Sequence, residues 1–172
     1  MLRVFRSMAE LPFGNLMQIY AQSNRERGSQ LHGESEAHGI SLAEQEFYGY
    51  LRQCFFTRPE SCYFLWEVDG KAVSAIRCES YGEGVLLAAL ETDPACRGKG
   101  HAKALLTEVV RYLNTAMIYV HIKRTNAASV AVHLACGFEK IKSGARMLDG
   151  SYCPDHDTYL LKKSELINKC TC

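Results

Sequence analysis

The stretch Glu91-Thr-Asp-Pro-Ala-Cys-Arg-Gly-Lys-Gly-His-Ala-Lys-Ala-Leu-Leu106 decides how this chain is read. The apolar run Val85 to Leu90 just before it has the character of a buried strand. A turn containing Pro94 follows, and then Ala102, Leu105, Leu106, Val109, Val110 and Leu113 recur at helical spacing. A strand that ends in a glycine-rich loop opening a helix makes an anion site. The first backbone N–H groups of a helix lack intrahelical partners, and the macrodipole adds partial positive charge there. Gly98 and Gly100 remove side chains that would keep an anion from those amides, while Arg97, Lys99 and Lys103 add full positive charges. The loop is suited to a pyrophosphate.

Three loop types compete for that reading. A Walker loop needs four residues between its glycines followed by Lys-Ser/Thr. Gly98 and Gly100 stand too close for that, and no Ser or Thr follows Lys103. A dinucleotide-binding fingerprint needs a third glycine where Lys103 stands, and belongs near the start of a domain rather than past mid-chain. The pattern Arg/Gln-x-x-Gly-x-Gly/Ala remains, satisfied by Arg97, Gly100 and Ala102. It resembles the acetyl-CoA loop of the GNAT N-acetyltransferases. A second stretch agrees: Asn126-Ala-Ala-Ser-Val-Ala-Val-His-Leu-Ala-Cys-Gly137-Phe138 is similar to that family's Asn…Ala…Tyr-x-x-x-Gly-Phe segment.

The order of elements points the same way. Leu2 to Phe5 is expected as a short strand, Leu11 to about Arg27 as a helix stopped by Gly28, and residues 28–40 as a mobile loop carrying His32 and His38. Ser41-Leu-Ala-Glu44 has the form of a capping box, starting a second helix with an apolar stripe through Phe55. Cys62–Val68, the Asp69-Gly70 turn and Ala72–Tyr81 form a hairpin, and Gly82-Glu83-Gly84 turns into the Val85–Leu90 strand. Met117–His121 is a buried strand parallel to that one. Asn126 caps a helix ending at Gly137, and strands near Phe138–Lys142 and Thr158–Lys162 close the chain. This is an α/β (α+β) fold in a single domain over 1–172: a mixed, mostly antiparallel sheet of six to seven strands flanked by about four helices. It resembles the GNAT arrangement over essentially the whole length.

Composition sets bounds. At 47% hydrophobic and 23% charged residues with a net charge of +1, the chain gives no reason to expect nucleic acid or an anionic membrane as partner. No apolar run is long enough to span a bilayer, and no signal-peptide core is present. Of the eight cysteines, Cys54, Cys62, Cys78 and Cys136 fall in apolar patterns and are expected to be reduced core residues of a cytoplasmic protein. Cys153 and His156 with Cys170 and Cys172 have a spacing that zinc could use, but a loop and a chain tail scaffold it poorly, and no metal is expected.

The resemblance implies direct transfer of acetyl from acetyl-CoA, as cosubstrate, to a primary amine of a small molecule or peptide; a catalytically weak CoA-binding sensor of the same fold is the alternative. It implies that the backbone near Leu90, Glu91 and Thr92 pairs with pantetheine, Thr92 standing where the family usually has Val. Arg97, Gly98, Lys99, Gly100, His101 and Ala102 would hold the pyrophosphate, and Asn126 the pantetheine arm. His133 stands where many members carry a Tyr that protonates the departing sulfur, and its seven-residue spacing from Asn126 would put both on the cofactor face. For the base, Glu91 at the strand end is favoured over Glu79 on the neighbouring strand. The amine acceptor is not identified, and a homodimer stays open.

Overall fold

The computed structural model describes residues 1–31 and 35–163. Seven strands form one sheet in the order β1-β2-β3-β4-β5-β7-β6. They are β1 (Leu2–Phe5), β2 (Cys62–Val68), β3 (Lys71–Tyr81), β4 (Gly84–Thr92), β5 (Met117–Lys123), β6 (Glu139–Arg146) and β7 (Tyr152–Lys162). All neighbours are antiparallel except β4 and β5. The helices are α1 (Phe13–Ile19), α2 (Ala21–Gln30), α3 (Glu36–Tyr50), α4 (His101–Tyr112) and α5 (Ala127–Leu134), with a π-helical turn, Leu51–Phe55, extending α3. No helix among the described residues is long and apolar enough to cross a membrane.

Alternation along the strands divides the core in two. Cys62 and Phe64 of β2, with Ile76 and Cys78 of β3, face one side, where Leu105, Leu106, Val109 and Val110 of α4 cover them. Tyr63, Leu65 and Ala75 face the other side, against Leu16, Ile19, Leu51 and Phe55. Fully burying each such side chain contributes about 1.5–3 kcal/mol, which is why the period-two and period-3.6 patterns register against each other.

The α-helical half departs from the sequence reading. The expected Leu11–Arg27 helix is two helices that change direction at Tyr20, where the backbone leaves helical values (φ −88°, ψ 10°) and the ring is buried. Gly28 does not stop α2. It lies inside it, where the backbone of Gly39 in α3 approaches so closely that a Cβ on Gly28 would meet Gly39 C at 2.5 Å. The apparent loop over 28–40 is therefore mostly the end of α2 and the start of α3, with His32 outside the described residues. The cap of α3 is Ser35, whose hydroxyl accepts from the His38 N–H at 3.2 Å; Ser41 lies mid-helix and accepts from Gln45 instead. Cys62 and Cys78 are core residues as expected, but Cys54 is exposed and Cys136 only half-buried.

Candidate active site

The parallel pair β4–β5 positions the site. It pairs only from Val85 to Leu87 against Ile118 to Val120, so beyond Leu87 the β5 side of β4 carries no strand among the described residues. On its other side the β3–β4 register shifts between Ala75 and Arg77, and Ala89 takes φ +55°. A non-glycine residue in that region costs about 1–3 kcal/mol and persists where its surroundings hold it. The holding contact is the Tyr20 hydroxyl, which donates to the Ala89 carbonyl and itself accepts from Tyr63 at 2.7 Å. Tyr20 thus couples the break between α1 and α2 to the bulge in β4.

β4 runs into a short 3-10 turn, Pro94–Cys96, capped by Asp93, which accepts from the Ala95 N–H at 3.0 Å and from Lys71 at 2.9 Å. These two bonds, the Lys71 one foremost, hold the Asp93 carboxyl below its ordinary range. Gly98 (φ +75°) and Gly100 (φ +82°) then bend the chain into α4, and Gly100 caps that helix without any side-chain bond. The first intrahelical bond there runs from Ala104 N to Gly100 O at 2.9 Å, so the preceding amides of the helix face an open cleft.

That cleft has a volume of about 590 Å³. Leu90, Glu91, Thr92, Arg97, Gly98, Gly100, His101, Ala102 and Asn126 all line it. Lys99 does not; its ammonium turns back to the Ala95 carbonyl at 3.3 Å. Arg97 is fixed by donating to the Thr92 carbonyl at 3.1 Å and to Gln22 at 2.6 Å. Asn126 caps α5 by accepting from the Ser129 N–H at 3.0 Å. Gln22, Ser23 and Glu26 of α2 form a wall that sequence reasoning missed, because their helix carries no motif and only the fold brings it to β4.

Glu91 belongs to this same cleft. It accepts from the Ser23 hydroxyl at 2.6 Å and lies 3.6 Å from Arg97. Burial pushes its carboxyl up, against the opposing effects of Ser23 and Arg97. Glu79 borders a different cleft, of about 370 Å³, together with Tyr50, Arg58, Arg77, Ala88, Ala89 and His121. There Glu79 is held by Arg58 at 2.5 Å and Arg77 at 3.3 Å, with its side chain only 1% exposed. Consecutive residues of β4 line the two clefts, Leu86–Ala89 the second and Leu90–Thr92 the first.

His133 corrects an expectation. It is 3% exposed, packs edge-on against Phe138 at 5.2 Å, and lines neither cleft; Ser129 and Val132 of α5 border the first cleft instead. Asn126 is a cap with non-helical backbone (φ −88°, ψ 70°), so the seven-residue spacing does not place the two side chains on one face. The Nδ1–H of His133 donates to the Ser129 carbonyl at 2.7 Å, and burial lowers the pKa of the ring. A neutral imidazole whose proton is so held is no acid for a sulfur. Of the zinc candidates, Cys153 and His156 do lie with Asp155 within 4.8 Å of one another, but Asp155 already binds His156 Nδ1 at 2.8 Å, and Cys170 and Cys172 fall outside the described residues.

A splayed parallel pair with a glycine-rich loop and helix N-terminus beside it defines a site for a phosphate-bearing cosubstrate. The chain belongs to the acetyltransferase (GNAT) family, whose model matches residues 19–138. Its fold is similar to that of the PaiA N-acetyltransferase from Thermoplasma acidophilum in complex with coenzyme A, at 13% identity and a TM-score of 0.65, covering 94% of this chain and 99% of that one. A spermidine N-acetyltransferase SpeG chimera from Vibrio cholerae gives 17% identity and a TM-score of 0.61 over 98% and 99%. An uncharacterized protein of Mycobacterium leprae is 30% identical over 74 residues, which is 43% of this chain and 20% of that protein's length.

Proposed function

We propose that the protein transfers acetyl from acetyl-CoA directly to a primary amine of a small molecule or peptide. The observation that carries this reading is that two clefts are lined by consecutive residues of β4 at its bulge, Ala89 in one and Leu90 in the other. Pyrophosphate would sit on the α4 amides beside Gly98 and Gly100, and pantetheine would run along the unpaired edge of β4 at Leu90–Thr92. The thioester then reaches Ala89–Leu90, where the second cleft opens to receive the amine. In such a site a fixed geometry turns a bimolecular encounter into an effectively unimolecular one. Glu91, lying among Ser23 and Arg97, steadies the arginine of the cofactor cleft. The departing thiolate takes its proton from the attacking nitrogen rather than from His133. Near-neutral charge and reduced cysteines fit a cytoplasmic enzyme without nucleic-acid or membrane partners.

Calorimetry with CoA tests the cofactor half. A Cβ at Gly100 would meet nothing within 4 Å, so Gly100→Ala costs mainly the φ +82° conformation, about 1 kcal/mol. Gly100→Asp adds a like charge against the pyrophosphate, and CoA binding is expected to be largely lost in the folded Asp variant while the Ala variant keeps most of it. Equal affinity in both would place the cofactor elsewhere.

A further inference from the structure

Two side chains of the acceptor cleft, Arg77 and His121, have a buried nitrogen without a hydrogen-bond partner, and of the two only the His121 imidazole can accept a proton. His121 stands on β5 opposite Thr158 of β7, and its ring borders the cleft with Ala88 and Ala89 of the bulge. The Thr158 hydroxyl donates to the Gly144 carbonyl at 2.9 Å. A hydroxyl has a single proton to give, so its 3.2 Å contact with His121 Nδ1 must be one in which the imidazole donates. Nδ1 therefore carries the hydrogen, and Nε2 presents a bare lone pair. Nε2 is buried and has no hydrogen-bond partner. A buried polar atom without a partner costs stability, and such atoms concentrate where chemistry uses them.

The other proton acceptors in the cleft are two carboxylates, one clamped by arginines and one exposed to solvent. Glu79 is clamped by Arg58 and Arg77, with the Tyr50 hydroxyl at 3.4 Å. Asp149 accepts from the Ser151 N–H at 2.8 Å. We propose that His121 is the general base of this acetyl transfer, taking a proton from the acceptor ammonium at Nε2 beside the β4 bulge. The inference rests on the acetyltransferase reading above and assigns a residue to it. One proton passes from R–NH3+ to Nε2, and the freed nitrogen lone pair attacks the thioester carbonyl carbon. The tetrahedral intermediate then breaks its C–S bond, the sulfur leaves with the electron pair and takes a proton from the nitrogen, and His121 returns its own proton to solvent.

The electrostatic surroundings keep the ring available as a base. Burial lowers the His121 pKa, His156 on β7 lowers it further, and the carbonyls of Arg146 and Val120 oppose the shift. Tyr81 of β3 packs edge-on at 5.3 Å and bonds the Arg146 carbonyl at 3.0 Å, while Arg58 and Arg77 offset the charge of Glu79, and Asp149 is the remaining acid of the cleft. The ring is therefore neutral at physiological pH, as a base must be before it acts.

The test combines kinetics with a tautomer measurement. Wild-type protein, His121→Ala and His121→Gln are assayed with acetyl-CoA and spermidine, phenethylamine and a peptide with a free N-terminus, from pH 6 to 10, and CoA affinity is measured alongside. Both variants are expected to lose about 10²-fold or more in kcat at neutral pH, to recover as alkaline pH supplies free amine, and to keep CoA affinity. Nitrogen-15 NMR of the CoA-loaded wild type should show the Nδ1–H tautomer, titrating below the ordinary histidine range, and Thr158→Val should mix the tautomers. Variants with the wild-type pH–rate profile, or an Nε2–H tautomer in the loaded protein, overturn the assignment. If the wild type acetylates none of these amines, the acetyltransferase reading fails for them, and the tautomer still decides whether Nε2 is a free base.

Discussion

Tyr20→Phe removes one oxygen atom and tests whether the bulge in β4 is held or merely tolerated. In the wild type that oxygen donates to the Ala89 carbonyl and accepts from Tyr63. Both tyrosines are buried, and burial foremost raises the pKa of each. After the substitution the Tyr63 hydroxyl has lost its acceptor in a buried place, at a cost of about 1–3 kcal/mol. The Ala89 carbonyl loses its donor but is only part-buried, so water replaces some of that bond. A net loss near 2 kcal/mol lowers Tm by roughly 4–8 °C for a chain of this size. Tyr63→Phe is the comparison, since it deletes the same pair yet leaves Tyr20 bonded to Ala89. Tyr63→Phe strands no donor and should melt above Tyr20→Phe, and Tyr20→Phe alone should let Ala89 relax from φ +55° and misplace the reacting carbonyl. A displacement of about 1 Å there lowers kcat by about 10²-fold. Thermal melts with acetyl-CoA turnover on a reactive amine read both effects. Equal turnover in the two variants would refute the coupling between Tyr20 and the bulge.

The helix crossing gives a sharper packing test. Gly28→Ala would place a Cβ 2.5 Å from Gly39 C and should destabilise by about 1–3 kcal/mol, whereas Gly49→Ala, with nothing within 4 Å, should stabilise by about 0.5–1 kcal/mol; chemical denaturation separates the signs. Glu91→Gln should gain on the wild type as pH rises. The raised Glu91 pKa means the folded state binds the proton more tightly, so the contribution of Glu91 is greatest in acid and fades as pH climbs through its folded value. Melts at pH 4 and pH 7 should show the variant relatively more stable at pH 7, and an unchanged difference would contradict a buried carboxylate. His133→Phe should leave kcat and CoA affinity near wild type and flatten the stability loss in acid. The folded pKa of His133 is lowered by burial, so the unfolded chain takes up its proton first, and stability falls as pH drops below about 6.5. A large loss of kcat with intact stability would return His133 to the chemistry.

What was legible in the sequence was the part governed by local rules. The loop Arg97–Ala102, the hairpin turn at Asp69-Gly70 and the cap at Asn126 are short-range devices, and each stands where spacing and residue type put it. The buried runs of β4 and β5 likewise announced a parallel pair. Misreadings began where a residue serves a distant partner. Gly28 has the look of a helix stop, yet its missing side chain is spent on Gly39 of another helix. Ser41 and Glu44 match a capping box, but Ser35 is the residue whose hydroxyl meets the helix N-terminus. Gln22 and Ser23 carry no signal of a cofactor wall because their role depends on where α2 lies against β4.

The same distinction explains why most residues expected at the cofactor loop share one cleft, while the candidates for acid and base chemistry are scattered. A cofactor loop is recognised by backbone groups that the loop itself arranges, so glycine spacing is enough to find it. A base or acid is defined by what surrounds it, and surroundings come from several strands at once. Glu91 and Glu79 stand on adjacent strands of the same sheet, yet one enters the cleft of Arg97 and the other is locked between two arginines. His133 keeps its place in a motif but turns its ring toward Phe138. His121 sits in an ordinary strand pattern, and only the Gly144–Thr158 hydrogen bond across β6 and β7 fixes which of its nitrogens bears the lone pair. Chemistry at this site is thus written in the order β5-β7-β6, which brings Thr158 beside His121 and Gly144 beside Thr158.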